Sequence, residues 1–485
     1  MKKIIVVLIA IVLIIALPVV RMESIQNTYL PDAPTTSFEL RESAPEILAQ
    51  GLSYKTISQV PRMIDSAAFE GLFAHLAESF PIVFSRLEVD TVSTHTLWMN
   101  LKGTLDQPDN LLFISHLDVV PVDPKTLGEW EAEPFGGEIR DDYIYGRGAL
   151  DDKASAFGIL ESLETLLSNG WSPKHNLYFC FGQDEEIGGK NGAGIAARMC
   201  REQGLKFRAI YDEAGTISIG SVPGLESIPV ALIGIAEKGY ISVEVNFEQA
   251  GGHSSMPENE NAILSAAGFI TSLNEDPIFT PEFTEPLNGF ITHLAPEMSL
   301  GMKWAFGMRP LTNSLLFNAY QKSSTGRALT TNTAVATMVG AGFKDNVVPS
   351  SSRVVCNTRI LPGYSIEQIV NAYQSRASQF GGKVQWYNEY GSGPTPTSST
   401  ESADFIALGQ SVKKIFPEAL ISPYLTLGGT DSKNFEGLAQ NTYRFLPIPL
   451  IKEDLPRIHG INERIHVEDY KRLCHFYLDL FQRLP

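Results

Sequence analysis

Cysteine is scarce in this chain. Its 485 residues include four, Cys180, Cys200, Cys356 and Cys474, and none forms a C-x-x-C pair. That argues against a cysteine-ligated zinc site. Positive charge is also in short supply: 38 Lys and Arg stand against 55 Asp and Glu, for a formal net charge of −17. Without a basic footprint, nucleic acid is not an expected partner. There is no internal repeat and no low-complexity tract. With 44% hydrophobic and 19% charged residues, the composition is that of a folded globular protein. The length predicts two domains after an N-terminal segment.

That segment begins with Lys2 and Lys3, continues as an uncharged apolar run over residues 4–20, and closes at Arg21. A positive flank followed by an apolar run is an export signal. The run is long for a signal peptide and short for a membrane span, and no A-x-A-like cleavage site follows it. Residues 1–21 are therefore read as a signal anchor, with a cleaved signal peptide as the alternative. The lysines stay cytoplasmic and the rest faces outward, membrane-anchored or secreted. Residues 22–52 read as a polar tether.

Apolar runs at residues 111–114, 177–181 and 209–211 read as strands, separated by helical stretches at 152–168 and 192–203. This alternation predicts an α/β sheet covered by helices. Residues 241–386 have a different texture: alternating strands at 241–245, 333–339 and 353–360, helices at 262–273 and 365–379, and an irregular Pro-rich stretch at 276–309. They read as a smaller α+β unit inserted into a catalytic domain formed by residues 53–240 and 387–485.

Acidic and histidine clusters follow the predicted strands: His116 and Asp118, the run Asp184-Glu185-Glu186, the pair Asp212-Glu213, and His459 to Glu463. Asp151-Asp152 opens a helix after Gly146-Arg147-Gly148. In open α/β sheets ligands bind at the carboxyl ends of strands, so loops from separate strands can bring these residues together. Two imidazoles and several carboxylates with no thiolate suit borderline divalent metals: zinc, or cobalt or manganese. Two cations need about six donors and a bridging carboxylate. Adjacent glutamates allow one to bind metal while the other handles protons. Singly, each cluster is as well explained as a turn, a solvated loop or a helix cap; their order after strands sets them apart.

The motifs SHLDVVPVD at 115–123, GRGALDDK at 146–153, DEEIGG at 184–189, YDEAG at 211–215, GGHSS at 251–255, NVVP at 346–349, RILPG at 359–363, GGTDS at 428–432 and HGINERI at 459–465 resemble those of the M20 metallopeptidases, in particular the carboxypeptidase S-like branch with its N-fatty-acyl-amino-acid hydrolase/synthases. The resemblance spans nearly everything after the tether. It implies a zinc-peptidase-like catalytic domain with a central mixed sheet and an inserted lid or dimerisation domain. It implies that His116, Asp151 and Asp212 ligate one zinc, and Asp151, Glu186 and His459 the other. Asp118 would clamp His116, and Glu185 would be the general base. His253 would stabilise the oxyanion, reaching the partner's site in a homodimer. Asn346 and Arg359 would grip a substrate carboxylate, with Gly428 and Gly429 lining the pocket. Arg359 can do so bidentately.

The segment 276–330 is longer than in compact relatives and rich in Phe283, Phe290, Met298, Trp304, Phe306 and Phe317. It reads either as an acyl-binding cleft or as added core or a dimer contact. The expected function is hydrolysis of N-acyl amino acids or short peptides with a free carboxylate, tilted towards long acyl chains and reversible in principle. A broad extracytoplasmic carboxypeptidase is the alternative within the class. A catalytically dead binding protein is the alternative outside it, disfavoured because the ligands and Glu185 are all present.

Overall fold

The computed structural model describes residue 14 and residues 16–25, 35–59 and 63–485. A ten-stranded mixed sheet forms the larger layer. Its centre is four strands, Ala439–Arg444, Phe207–Asp212, Asn110–His116 and Asn176–Gly182, neighbours in that order and all parallel. The near-continuous apolar character of Asn110–His116 and Asn176–Gly182 follows from burial on both faces. Helix Lys153–Ser168 is buried along almost its whole length and packs against the C-terminal helix Val467–Arg483, whose buried face includes Leu473, Phe476, Leu480 and Phe481.

The chain leaves this sheet at Val230–Glu237 and, one residue later, enters strand Gly239–Glu248 of a separate four-stranded antiparallel sheet. The other strands of that sheet are Val335–Ala341, Ser351–Ile360 and Gly382–Ser392. Helices Ala262–Glu275 and Ile366–Ser378 supply its apolar cover, with Phe269, Ile369 and Tyr373 fully buried against Val243 and Val354. The smaller unit therefore has a core of its own.

Two sequence expectations differ from the structure. The stretch 276–309 is not irregular: it contains helices Glu285–Leu294 and Leu300–Gly307. Pro286 lies in the first turn of the former, where no backbone N–H is required, so it starts the helix rather than breaking it. The apolar residues of this segment are mostly core, with Leu287, Phe290, Leu294 and Phe306 buried together against Val230 and Leu225. They thus cover the large sheet instead of lining an open cleft.

The tether is shorter than expected. Residues 44–52 form helix Ala44–Leu52, whose Leu48 and Leu52 enter the main core, and Arg41 pairs with the buried Glu161. The spacing of Ala44, Leu48 and Leu52 is the amphipathic signal. Most of the apolar run at 4–20 lies outside the described residues, as does part of the tether. Residues 16–23 are helical, and Met22 is buried against the inserted helices. Among the described residues no helix is long and apolar enough to cross a membrane.

Candidate active site and metal centre

The four central parallel strands all end at the same edge, and the acidic loops follow from there. His116 is the last residue of its strand. Its Nδ1 lies 2.9 Å from the Asp118 carbonyl oxygen. A carbonyl can only accept, so Nδ1 carries the proton and the Nε2 lone pair is left for a cation. Asp118 is fully buried and does more than flank His116. Its carboxylate accepts the backbone N–H groups of Glu185 and Glu186 at 3.1 and 3.2 Å and the Ser58 hydroxyl. One aspartate thus fixes the His116 loop and the Glu185-Glu186 turn together.

Asp151 stands between the two histidines. Its Oδ1 is 2.9 Å from His116 Nε2 and its Oδ2 is 3.1 Å from His459 Nε2. Glu186 Oε2 is 3.1 Å from the same His459 nitrogen, and Glu213 Oε1 is 3.6 Å from His116 Nε2. Two groups result, His116–Asp151–Glu213 and Asp151–Glu186–His459, each with donor atoms within 4.8 Å of one another. Donors at about 2.0–2.2 Å from one tetrahedral cation are about 3.4 Å apart, so these separations fit. The second oxygen of Glu186, Oε1, is buried without a hydrogen-bond partner, as a carboxylate awaiting a cation would be.

The electrostatics agree. Burial pushes the Glu213 carboxyl well up, and the neighbouring Asp151 adds to it. Burial likewise raises Glu185. Hydrogen bonds to Asp151 and Glu186 lift His459 to about 10. Burial alone would lower His116, but its contacts with Asp118 and Asp151 outweigh that and hold it well above its ordinary value. Closely packed carboxylates therefore retain protons that bound cations would displace.

Asp212 does not enter either group. Its Oδ1 accepts its neighbour's N–H at Glu213, and its Oδ2 accepts the Ser432 N–H at 2.8 Å. Glu213 stands where Asp212 was expected, because Asp212 still belongs to its strand and successive strand side chains point to opposite sides. Asp152 occupies the N-cap position of helix Lys153–Ser168, but its carboxylate caps no backbone N–H there and instead accepts the Ser115 hydroxyl at 2.7 Å.

An unexpected pair organises the loops. Arg147 forms a buried ion pair with Glu463 and also donates to the carbonyls of His459 and Gly460. Glu463 Oε1 accepts the N–H groups of Gly148, Leu150 and Asp151. The turn carrying Asp151 and the loop carrying His459 are thereby joined. Both residues lie inside the sequence motifs, but only the fold shows them as partners.

Two cavities meet at this centre and share Glu185, Glu186, Gly429 and His459. One, of about 990 Å³, gathers the basic side chains Lys190, Lys238, Arg359 and Lys433 opposite Glu185, Glu186 and Glu237, with Tyr240 also in its wall. Tyr240 and Arg359 are cross-strand partners, and the guanidinium lies 5.0 Å from the tyrosine ring centroid. Among the described residues that guanidinium has no carboxylate partner. Lys433 was not anticipated, since nothing marks a lone lysine in sequence. Burial would lower its pKa, but Glu185, Asp431 and Glu237 outweigh that and keep it charged. The other cavity, of about 310 Å³, includes Gly428 and Gly429 in its wall and extends to Tyr424 and Leu450.

His253 and Asn346 line neither cavity. They are exposed neighbours on the smaller unit, where Gly252–His253 pairs with Val347–Val348 and the Ser254 N–H donates to the Asn346 carbonyl.

Paired imidazole–carboxylate groups sharing one aspartate, set at the carboxyl edge of this sheet, define a metal-dependent hydrolase of amide bonds. The match extends to whole chains. The model of peptidase family M20/M25/M40 matches residues 112–483, and the chain belongs to that family. It is 34% identical over 447 residues to the "Probable carboxypeptidase S-like 2" of Dictyostelium discoideum, covering 90% of this chain and 84% of that one. It is 31% identical over 445 residues to the "N-fatty-acyl-amino acid synthase/hydrolase PM20D1" of Xenopus tropicalis, covering 91% and 86%. Among solved structures, an M20 family metallo-carboxypeptidase from Sulfolobus solfataricus shares the fold with a TM-score of 0.66 at 20% identity, covering 92% of this chain and all of that one. Human carnosine dipeptidase 1 does so with a TM-score of 0.61 at 14% identity, covering 91% and 96%.

Proposed function

We propose that the protein hydrolyses the amide bond of N-acyl amino acids bearing a free carboxylate, and that long acyl chains are its preferred class. The observation that carries this reading is the unpaired Arg359 guanidinium, oriented over Tyr240 in the larger cavity that shares Glu185, Glu186 and His459 with the metal groups. A carboxylate held by Arg359 in a bidentate pair leaves the adjacent amide near Glu185. The names of the relatives favour the same class.

His116, Asp151 and Glu213 would hold one cation, and Asp151, Glu186 and His459 the other. The donor set, with no thiolate, favours zinc. Such cations polarise a carbonyl and acidify the attacking water. Glu185 takes the proton of that water and returns it to the leaving amine as the C–N bond breaks. Condensation runs through the same groups in reverse.

His253 and Asn346 lie outside the cavities, so the reading assigns them to the site of a second copy in a homodimer. The edge strand Val335–Ala341, with Val339 68% exposed, and Phe343, 84% exposed, offer the contact. The charged N-terminus and the apolar run at 4–20 support export, with the enzyme secreted or held at the membrane.

The test is turnover by metal-replete protein of N-oleoyl and N-acetyl amino acids, their carboxamide analogues and a set of dipeptides. Free-acid N-acyl substrates should be cleaved and carboxamides spared. Equal cleavage of carboxamides removes the Arg359 role, and faster turnover of short dipeptides makes the enzyme a broad carboxypeptidase.

A further inference from the structure

The second cavity carries a more specific assignment, which rests on the reading of the metal groups and Arg359 above. We infer that the space bounded by Tyr424, Leu446, Ile448, Leu450 and Ile458 is the acyl-chain subsite, and that Ile448 and Leu450 set the length of chain it accepts.

This cavity of about 310 Å³ opens at Asp151, Glu185, Glu186, Glu213 and His459, and those are the only charged residues in its wall. Beyond them the lining is aliphatic and aromatic, with small polar contributions from Thr216, Thr426 and Thr430. The lysine and arginine side chains that line these two cavities, Lys190, Lys238, Arg359 and Lys433, all lie in the other one. A substrate amide has one end towards its carboxylate and one towards its acyl group. With the carboxylate at Arg359 and the carbonyl at the metal groups, the acyl group has this uncharged space in front of it.

Depth follows from the strand geometry. Thr426 ends strand Leu420–Thr426, beside the Gly428-Gly429 turn. Tyr424 is two residues back on the same face, about 7 Å further from that turn. Its ring meets Phe290 of the inserted helix Glu285–Leu294 at 6.2 Å. The inserted helices thus close the far end from behind Tyr424, which explains why their apolar residues are buried and not exposed to the site. Protein interiors leave few voids larger than a water. A ligand-sized apolar space open to a metal centre is a binding pocket. Its far end suits a hydrocarbon chain, because beyond the carboxylates at its mouth the wall is built of Tyr424, Leu446, Ile448, Leu450 and Ile458.

The experiment measures kcat/KM for N-acyl phenylalanines from acetyl to hexadecanoyl, using wild type and Ile448→Phe. In wild type each methylene accommodated should raise kcat/KM by about fourfold, up to the length that fills the space. In Ile448→Phe the plateau should fall at a shorter chain, with a loss at least thirtyfold greater for dodecanoyl than for acetyl. Ile448→Ala, which cannot fail by overpacking, should move the plateau to longer chains. The same factor of loss at every length in both variants, or a flat wild-type series, overturns the assignment while leaving the N-acyl amino acid reading intact. If wild type cleaves none of the series, that reading itself fails.

Discussion

Replacing Glu463 by Gln tests whether the site depends on a buried pair that lines neither cavity. The Glu463 side chain is fully buried and that of Arg147 is 3% exposed. One glutamate oxygen serves three backbone N–H groups and the other the guanidinium. Gln keeps the shape but places an amide facing N–H donors on one side, and it leaves Arg147 charged in a dry environment. Removing one member of such a pair costs about 3–5 kcal/mol. At about 2.1 cal/mol/K per residue, a chain of 485 residues has an unfolding entropy of about 1 kcal/mol/K, so Tm should fall by about 3–5 °C. The pair also ties the Asp151 turn to the His459 loop, and loss of such support weakens metal binding by about 10–100-fold. Scanning calorimetry with and without added zinc reads the first effect, and competition with a chromophoric chelator reads the second. The double variant Arg147→Met/Glu463→Leu should recover neither the Tm nor the affinity, since it removes the charges but leaves the three N–H groups of Gly148, Leu150 and Asp151 without their acceptor. A Glu463→Gln protein that melts within 1 °C of wild type and binds zinc equally well would refute the reasoning.

Glu185→Gln should retain both cations and lose about 10²–10⁴-fold in kcat, the usual contribution of a general base; substantial activity in a metal-loaded variant would remove the assignment. Glu213→Gln should lose bound metal, whereas Asp212→Asn should retain it. Metal analysis after dialysis decides between the two, and the opposite result restores Asp212 as the ligand. Arg359→Lys should raise KM for free-acid substrates about tenfold or more through loss of the planar fork, with a smaller change in kcat; an unchanged KM takes Arg359 out of carboxylate binding.

The strands that carry the site were readable because each is a run of apolar residues ending in chemistry: residues 111–114 lead to His116, and 177–181 lead to Glu185. The choice between Asp212 and Glu213 was not, because it depends on the residue at which the strand ends, and a one-residue shift exchanges the two faces. Prolines 286 and 296 masked helices in the inserted segment, since in sequence a proline in a first turn looks the same as a breaker. Lys433 and the Arg147–Glu463 pair escaped notice for another reason. Partners separated by 316 positions acquire meaning only when the fold closes. His253 and Asn346 were expected in different roles, one at the oxyanion and one with Arg359, yet they lie together on a surface away from the cavities of their own chain.

The cleft is a joint between two sheets, and the joint itself is built from charge. Strand Val230–Glu237 of the large sheet and strand Gly239–Glu248 of the small one are separated by Lys238 alone. Glu237, at the end of the first, accepts the buried Arg444 guanidinium at 3.0 Å and the Thr430 hydroxyl at 3.0 Å, which anchors it beside the Gly428-Gly429 turn. Lys238 donates to the carbonyls of Ala328 and Thr331 at 2.7 and 2.8 Å, where the inserted helices return to the smaller sheet. Burial lowers its ammonium to about 7, and the nearby Arg359 adds to that. Tyr240 follows two residues later and carries Arg359 across the strand pair. On the function proposed above, the large sheet holds the carbonyl end of a substrate and the small sheet its carboxylate. The position of Arg359 relative to Glu185 is therefore set by Glu237 and Lys238, two buried charges whose partners come from opposite sides of the joint.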